Sequence, residues 1–314
     1  MPRIIKPARL RPGEVIGVVA PASPMKPELL ERGVRYLEGL GYRVKLGRFV
    51  QREHGYLAGS DLERSQDLTA MFRDRQVRAI ICARGGYGTP RLLHLLDYDV
   101  IRRNPKIFVG YSDITALQLA IFRHTGLITF SGPMVAADMG RGLDPFTETQ
   151  FWRIITEPVP CGDLQPQLER PFAAIRGGHA RGRLLGGCLS LLATVAGTAF
   201  MPPVKQSIFF LEEIGEEIYR IDRYLVHLRE LGVLDRIGGF ILGQIIDSEA
   251  KNGAPSLGLK DLMQDFIRPL GVPALMNLEY GHGSRKHTLP VGATAELLVN
   301  SRQRRVTITE AAVV

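Results

Sequence analysis

Four short segments carry side chains whose types and surroundings could do chemistry. The first is Phe108-Val109-Gly110-Tyr111-Ser112-Asp113-Ile114-Thr115-Ala116. An apolar strand runs into a tight turn, and a helix begins at once. That arrangement lifts the Ser112 hydroxyl to the carboxyl edge of a sheet, where open α/β folds place their ligands. The free amides and positive dipole end of the helix would stabilise an oxyanion there. The turn resembles a nucleophile elbow, although G-x-S-x-G is absent. The plainer alternative is that Ser112 or Asp113 merely caps the helix, and the segment taken alone favours the cap.

The second segment is Arg84-Gly85-Gly86-Tyr87-Gly88, after a strand and before Thr89-Pro90. Its glycines let backbone amides approach a ligand closely, as a phosphate cradle or an oxyanion hole. It is neither G-x-G-x-x-G nor a Walker A loop, and a permissive βα turn explains it as well. In the third, Leu211-Glu212-Glu213-Ile214-Gly215-Glu216-Glu217, an apolar strand ends in carboxylates. The strand carries Glu212 inward, where it could orient a histidine. Glu216 and Glu217 are expected in the first turn of a helix, complementing its dipole. The fourth is Glu279-Tyr280-Gly281-His282-Gly283-Ser284-Arg285-Lys286-His287, in which two glycines leave His282 room beside a substrate.

The order Ser112, Glu212, His282 follows the Ser…Asp/Glu…His order of α/β hydrolases. One nucleophile, one base and one orienting carboxylate on separate loops is the logic of a triad. No H-x-x-x-H, H-E-x-x-H or C-x-x-C pattern points to a metal. The other histidines read as surface or satisfied core residues.

These segments need a scaffold. Strands are expected at Val15 to Ala20, Arg43 to Leu46, Ala79 to Ala83, Lys106 to Gly110 and Ile128 to Phe130. Helices are expected over 27–40, from the capping-box pattern Ser60-Asp61-Leu62-Glu63 to about Phe72, from Thr89-Pro90 to about Leu96, and from about Ile114 to Phe122. Such alternation implies a parallel sheet with helices on both faces. The rhythm fails over 137–180, with a linker expected at 161–178. A β-rich second half follows, with strands near 182–185, 207–212, 237–243, 294–299 and 304–309, and an amphipathic helix over 216–231. The expected domains are therefore 1–160, carrying Ser112, and 179–314, carrying Glu212 and His282.

Length and composition agree. The 314 residues are 45% hydrophobic and 23% charged, which excludes a disordered chain and allows about two domains. Three cysteines, Cys82, Cys161 and Cys188, suit reduced thiols better than a disulfide framework or a zinc cluster. The start of the chain shows no secretory h-region, and the most apolar stretch, 188–204, is broken by polar residues and prolines. A cytoplasmic protein with no membrane segment is expected. The net charge of +8 is scattered, which argues against a nucleic-acid groove and suits an anionic small substrate.

The combined motifs resemble the serine LD-carboxypeptidases, that is, the murein tetrapeptide carboxypeptidases and the related microcin-immunity peptidases. The matching pieces run nearly end to end: Val18-Val19-Ala20-Pro21-Ala22-Ser23, Gly55-Tyr56-Leu57-Ala58-Gly59, Arg84 to Gly88, Gly110-Tyr111-Ser112-Asp113, Ser131-Gly132-Pro133-Met134, Gly186-Gly187, Leu211-Glu212-Glu213 and Gly281-His282-Gly283. The resemblance implies a flavodoxin-like N-terminal domain joined to a smaller β-rich C-terminal domain. It implies Ser112 as nucleophile, His282 as base, Glu212 as its orienting carboxylate, and an oxyanion hole from the amides of Asp113 and Gly86. It also implies a homodimer with no metal or cofactor, acting on a small peptide. The expected reaction is release of terminal D-alanine from a murein tetrapeptide. The alternatives are cleavage of a peptidyl or aminoacyl nucleotide, or a non-catalytic anion-binding module. One departure is Cys188, where the pattern suggests asparagine.

Overall fold

Residues 2–250 and 255–314 are described here in a computed structural model. Five strands form the parallel part of the first sheet: β1 (Val15–Val19), β2 (Arg43–Leu46), β3 (Val77–Cys82), β4 (Ile107–Gly110) and β5 (Thr129–Ser131). β1 and β4 are buried throughout, as expected for strands covered on both faces. They pair in parallel in the order β2-β1-β3-β4-β5, which is the flavodoxin-like order. The connecting helices include α1 (Pro27–Gly39), α2 (Asp61–Arg73), α3 (Tyr98–Arg103) and α4 (Thr115–Thr125). The capping box of α2 is formed: Ser60 Oγ accepts from the Glu63 amide and Glu63 Oε2 accepts from the Ser60 amide, at 3.3 and 2.8 Å.

The stretch without clear periodicity contains α5 (Pro145–Thr156). Asp144 caps it, its carboxylate accepting from the amides of Phe146 and Thr147 at 3.0 and 3.3 Å. The expected linker is not free chain. It holds β6 (Gly162–Asp163) and β7 (Ala173–Arg176), short strands that cover the two edges of the second sheet. The remaining strands of that sheet are β8 (Gly178–Cys188), β9 (Ile208–Ile214), β10 (Gly239–Ile246) and β11 (Ala274–Met276), joined by two C-terminal strands. Between β11 and those two, β12 (Leu289–Val291) returns to the first sheet and lies antiparallel beside β5. The last two strands are β13 (Thr294–Val299) and β14 (Arg304–Ile308), giving the order β6-β14-β13-β8-β9-β10-β11-β7. The inner pairings β8–β9, β9–β10 and β10–β11 are parallel, and the outer ones antiparallel. One apolar cluster runs through both sheets, joining Val109 and Phe130 to Leu184, Phe210 and Leu242.

Candidate active site

Ser112 stands immediately beyond β4 with φ at 62°, in the left-handed region that L residues avoid. Holding a serine there costs about 1–3 kcal/mol, a strain that accompanies sites where a side chain must be presented. A 3-10 turn, Ser112–Ile114, leads into α4, whose N-cap is Ile114. Neither Ser112 nor Asp113 supplies a side-chain cap to that turn or to α4, so the capping alternative does not describe this segment.

The Asp113 side chain points to the glycine turn instead. Its Oδ2 accepts from the Thr89 amide at 2.8 Å, and the Thr89 hydroxyl donates to the Asp113 carbonyl. Burial raises the Asp113 carboxyl pKa, and the Thr89 bonds oppose that rise. The helix expected from Thr89 is only a 3-10 turn, Thr89–Leu92. Its N-cap is Gly88, which cannot offer a side chain, and Asp113 caps it from across the site. Buried Arg64 holds the same turn, donating through Nη1 to the carbonyls of Pro21 and Gly88. Ser23 completes the support, its Oγ accepting from the Tyr87 amide at 3.1 Å. A Cβ on Gly85 would lie 2.9 Å from the Ser112 Cβ, and one on Gly86 would lie 2.4 Å from Ser23 Oγ. Glycine therefore lets this turn press against Ser112.

Glu212 lies in the buried run of β9 with 0% exposure. Its Oε2 lies 2.7 Å from Nδ1 of His282. Burial raises the Glu212 pKa, and the hydrogen bond to His282 pulls it back. With Nδ1 donating to Glu212, Nε2 is the nitrogen left for a proton from elsewhere. The His282 loop is braced by Gln244, whose Oε1 accepts from the Gly283 amide at 2.8 Å. The Tyr111 ring stands edge-on to His282, with centroids 5.1 Å apart.

Glu213 has a different task. It accepts from the amides of Ser190 and Ile214 at 2.7 and 2.9 Å, fixing the start of α6 (Leu189–Val195). Cys188 is the N-cap of α6, its thiol 3.4 Å from Glu213 Oε1, and burial pushes that thiol's pKa well up. Glu216 and Glu217 precede the helix rather than start it: α7 spans Ile218–Glu230, with Glu217 as N-cap. β9 runs to Ile214, two residues beyond its expected end, and α7 starts two residues later than expected.

Ser112, His282, Gly85 and Gly86 line one cavity of about 670 Å³. That volume suits a small ligand rather than a folded chain. The cavity also receives Lys286, four residues beyond His282, for which the sequence alone indicates no role. Its buried Nζ lies 2.8 Å from Asp138 Oδ1 and 3.0 Å from the Tyr111 hydroxyl. Burial, followed by the Asp138 charge, raises the Tyr111 phenol well above its ordinary pKa. Among the described residues no cluster of three His, Cys, Asp or Glu could hold a metal, and no helix is long and apolar enough to cross a membrane. A hydroxyl, a carboxylate-held imidazole and two turn amides are the groups that acyl transfer needs.

Comparison with known proteins gives matches over both halves. Residues 16–132 match the LD-carboxypeptidase N-terminal domain, and residues 181–297 match the LD-carboxypeptidase C-terminal domain. A probable murein peptide carboxypeptidase of Bacillus subtilis (strain 168) is 41% identical over 93% of this chain and 91% of its own length. The murein tetrapeptide carboxypeptidase of Pseudomonas aeruginosa is 33% identical over 90% and 92%. The crystal structure of an MccF-like protein from Bacillus anthracis superposes with a TM-score of 0.85 at 30% identity, covering 98% of this chain and 99% of that one.

Proposed function

The chain belongs to the LD-carboxypeptidase family of serine-type peptidases, and from that premise we propose that it hydrolyses the amide that joins a terminal D-alanine to the L-centre of the preceding residue in a murein tetrapeptide. The observation that carries this reading is the hydrogen bond between the buried Glu212 carboxylate and His282, which shares a cavity with Ser112. Ser112 Oγ attacks the carbonyl carbon as His282 Nε2 takes its proton. Glu212 stabilises the imidazolium without taking the proton itself. The amides of Asp113 and Gly86 hold the oxyanion, each such donor being worth about 3–4 kcal/mol. His282 then protonates the departing amine of D-alanine. Water, deprotonated by His282, releases the acyl group and restores the Ser112 hydroxyl.

Mass spectrometry of L-Ala-γ-D-Glu-meso-Dap-D-Ala after incubation tests this, with Ser112→Ala in parallel. Loss of one alanine with wild type alone supports the assignment. An equally active Ser112→Ala would sink it.

A second reading keeps the machinery and changes the acyl compound to a peptidyl or aminoacyl nucleotide. The structural likeness to MccF in complex with glutamyl sulfamoyl guanosine, at a TM-score of 0.88 and 26% identity, favours it. Against it, the lone tryptophan does not offer its face to a base in this cavity. Trp152 stacks on Tyr42, with centroids 5.2 Å apart, beside a separate groove.

A further inference from the structure

A peptidase that releases one terminal residue must read a free carboxylate close to the bond it cuts. One residue separates them, roughly 3.5 Å along the chain. The receptor must therefore border the oxyanion turn. Four cationic side chains line the cavity: Lys26, Arg84, Arg141 and Lys286. Lys286 is already neutralised by Asp138 at 2.8 Å. Lys26 and Arg141 are exposed, where water competes for any anion they hold.

Arg84 differs from all three. It opens the Gly85–Gly86 turn, so its Cα lies within roughly 7 Å of that of Gly86. It is half-buried, and its guanidinium is held by two uncharged acceptors. Nε donates to the Gly85 carbonyl at 3.2 Å and Nη1 to the Pro24 carbonyl at 3.1 Å. Among the described residues no carboxylate pairs with it. Of its five N–H groups, three remain for a ligand. A guanidinium already fixed by the backbone loses little freedom when it takes a planar anion.

We infer that Arg84 receives the terminal carboxylate of the substrate and thereby restricts cleavage to the last residue of a peptide. The inference rests on the tetrapeptide reading above. It is tested with two substrates: the tetrapeptide with a free C-terminus, and the same peptide ending in D-alanine amide. Wild type is expected to favour the free acid by about 30-fold or more in kcat/KM. Arg84→Gln is expected to bring the ratio to near one, chiefly through KM for the acid. Arg84→Lys, which keeps the charge without the fork, is expected to give an intermediate ratio, and it carries the test if the glutamine variant does not fold. Lys26→Gln and Arg141→Gln are expected to retain the wild-type ratio. An Arg84→Gln enzyme weakened equally on both substrates overturns the inference, because Arg84 would then only brace the turn. A ratio that collapses in Lys26→Gln or Arg141→Gln instead also overturns it. Wild type that cleaves neither peptide removes the tetrapeptide reading, and the inference with it.

Discussion

Nδ1 of His282 lies 2.7 Å from Oε2 of Glu212, and the carboxylate is fully buried in the C-terminal half of β9. A strand and a loop, 70 residues apart in sequence at these two side chains, thus present one hydrogen-bonded unit. The carboxylate fixes which ring nitrogen carries the proton. Glu212→Gln keeps the shape but removes the charge, and its amide NH₂ can hold the wrong tautomer. We expect kcat on the tetrapeptide to fall roughly a thousandfold or more, with thermal unfolding little changed. Activity within tenfold of wild type would remove Glu212 from the proposed machinery.

Ser112 offers a test that separates strain from chemistry. Its φ of 62° disfavours any side chain with a Cβ. Ser112→Ala and Ser112→Gly should both lack turnover, since both lack the hydroxyl. They should differ in stability, with the glycine variant the more stable by about 1 kcal/mol, because glycine adopts this conformation without penalty. Urea unfolding of the two variants reads the difference. Equal midpoints would mean that the turn relaxes once the hydroxyl is gone.

The parts of the fold and site legible in the sequence are those encoded locally. β4 and β9 are apolar runs that stop at a polar turn, and the α2 capping box lies within four consecutive residues. Less visible was α5. Its buried stripe is Thr147, Phe151, Ile154 and Ile155, and the leading threonine hides the period. Edge strands of two and four residues, β6 and β7, carry no periodicity at all and form only where a sheet edge awaits them. The return of β12 to the first sheet pairs Val291 with Thr129, a contact no local pattern announces. The same holds for Lys286 and Asp138, 148 residues apart. Ser112, Glu212 and His282 are each visible in the sequence as chemistry, but their spacing alone does not join them; the family resemblance does.

Gly281 sets how closely the histidine loop approaches Glu212. Its φ is 138°, and a Cβ there would lie 2.9 Å from Glu212 Oε2. Gly281→Ala must therefore push the loop away from the carboxylate and strain the backbone as well. We expect kcat to fall about 100-fold, the scale of a misplacement near 1 Å, with KM less affected. Steady-state kinetics check the split. Unchanged kcat would show that the loop absorbs the methyl group without moving the imidazole.

His287, five residues beyond His282, makes stability depend on pH through burial rather than catalysis. It is 1% exposed, and its Nε2 donates to the Gln165 carbonyl at 2.9 Å. Burial, opposed in part by that bond and aided by the Arg285 charge, pushes its pKa down to about 4. In the unfolded chain the ring titrates near 6.5. Between these values the unfolded state binds the extra proton, so stability rises with pH across the window. The contribution is fully present above about pH 6.5 and is lost as pH falls towards 4, amounting to about 3 kcal/mol at most. Glu310, held down to about 2 despite burial by hydrogen bonds to Lys6 and Thr294, loses its contribution between about pH 4.5 and 2, which overlaps the His287 window only at its acid end. His287→Gln keeps a donor for Gln165 and removes the titration. Subtracting its urea midpoints from those of wild type between pH 7 and 4.5 cancels groups common to both. The difference should shift against wild type as pH falls, and a flat difference would mean that the buried ring takes up its proton without unfolding cost.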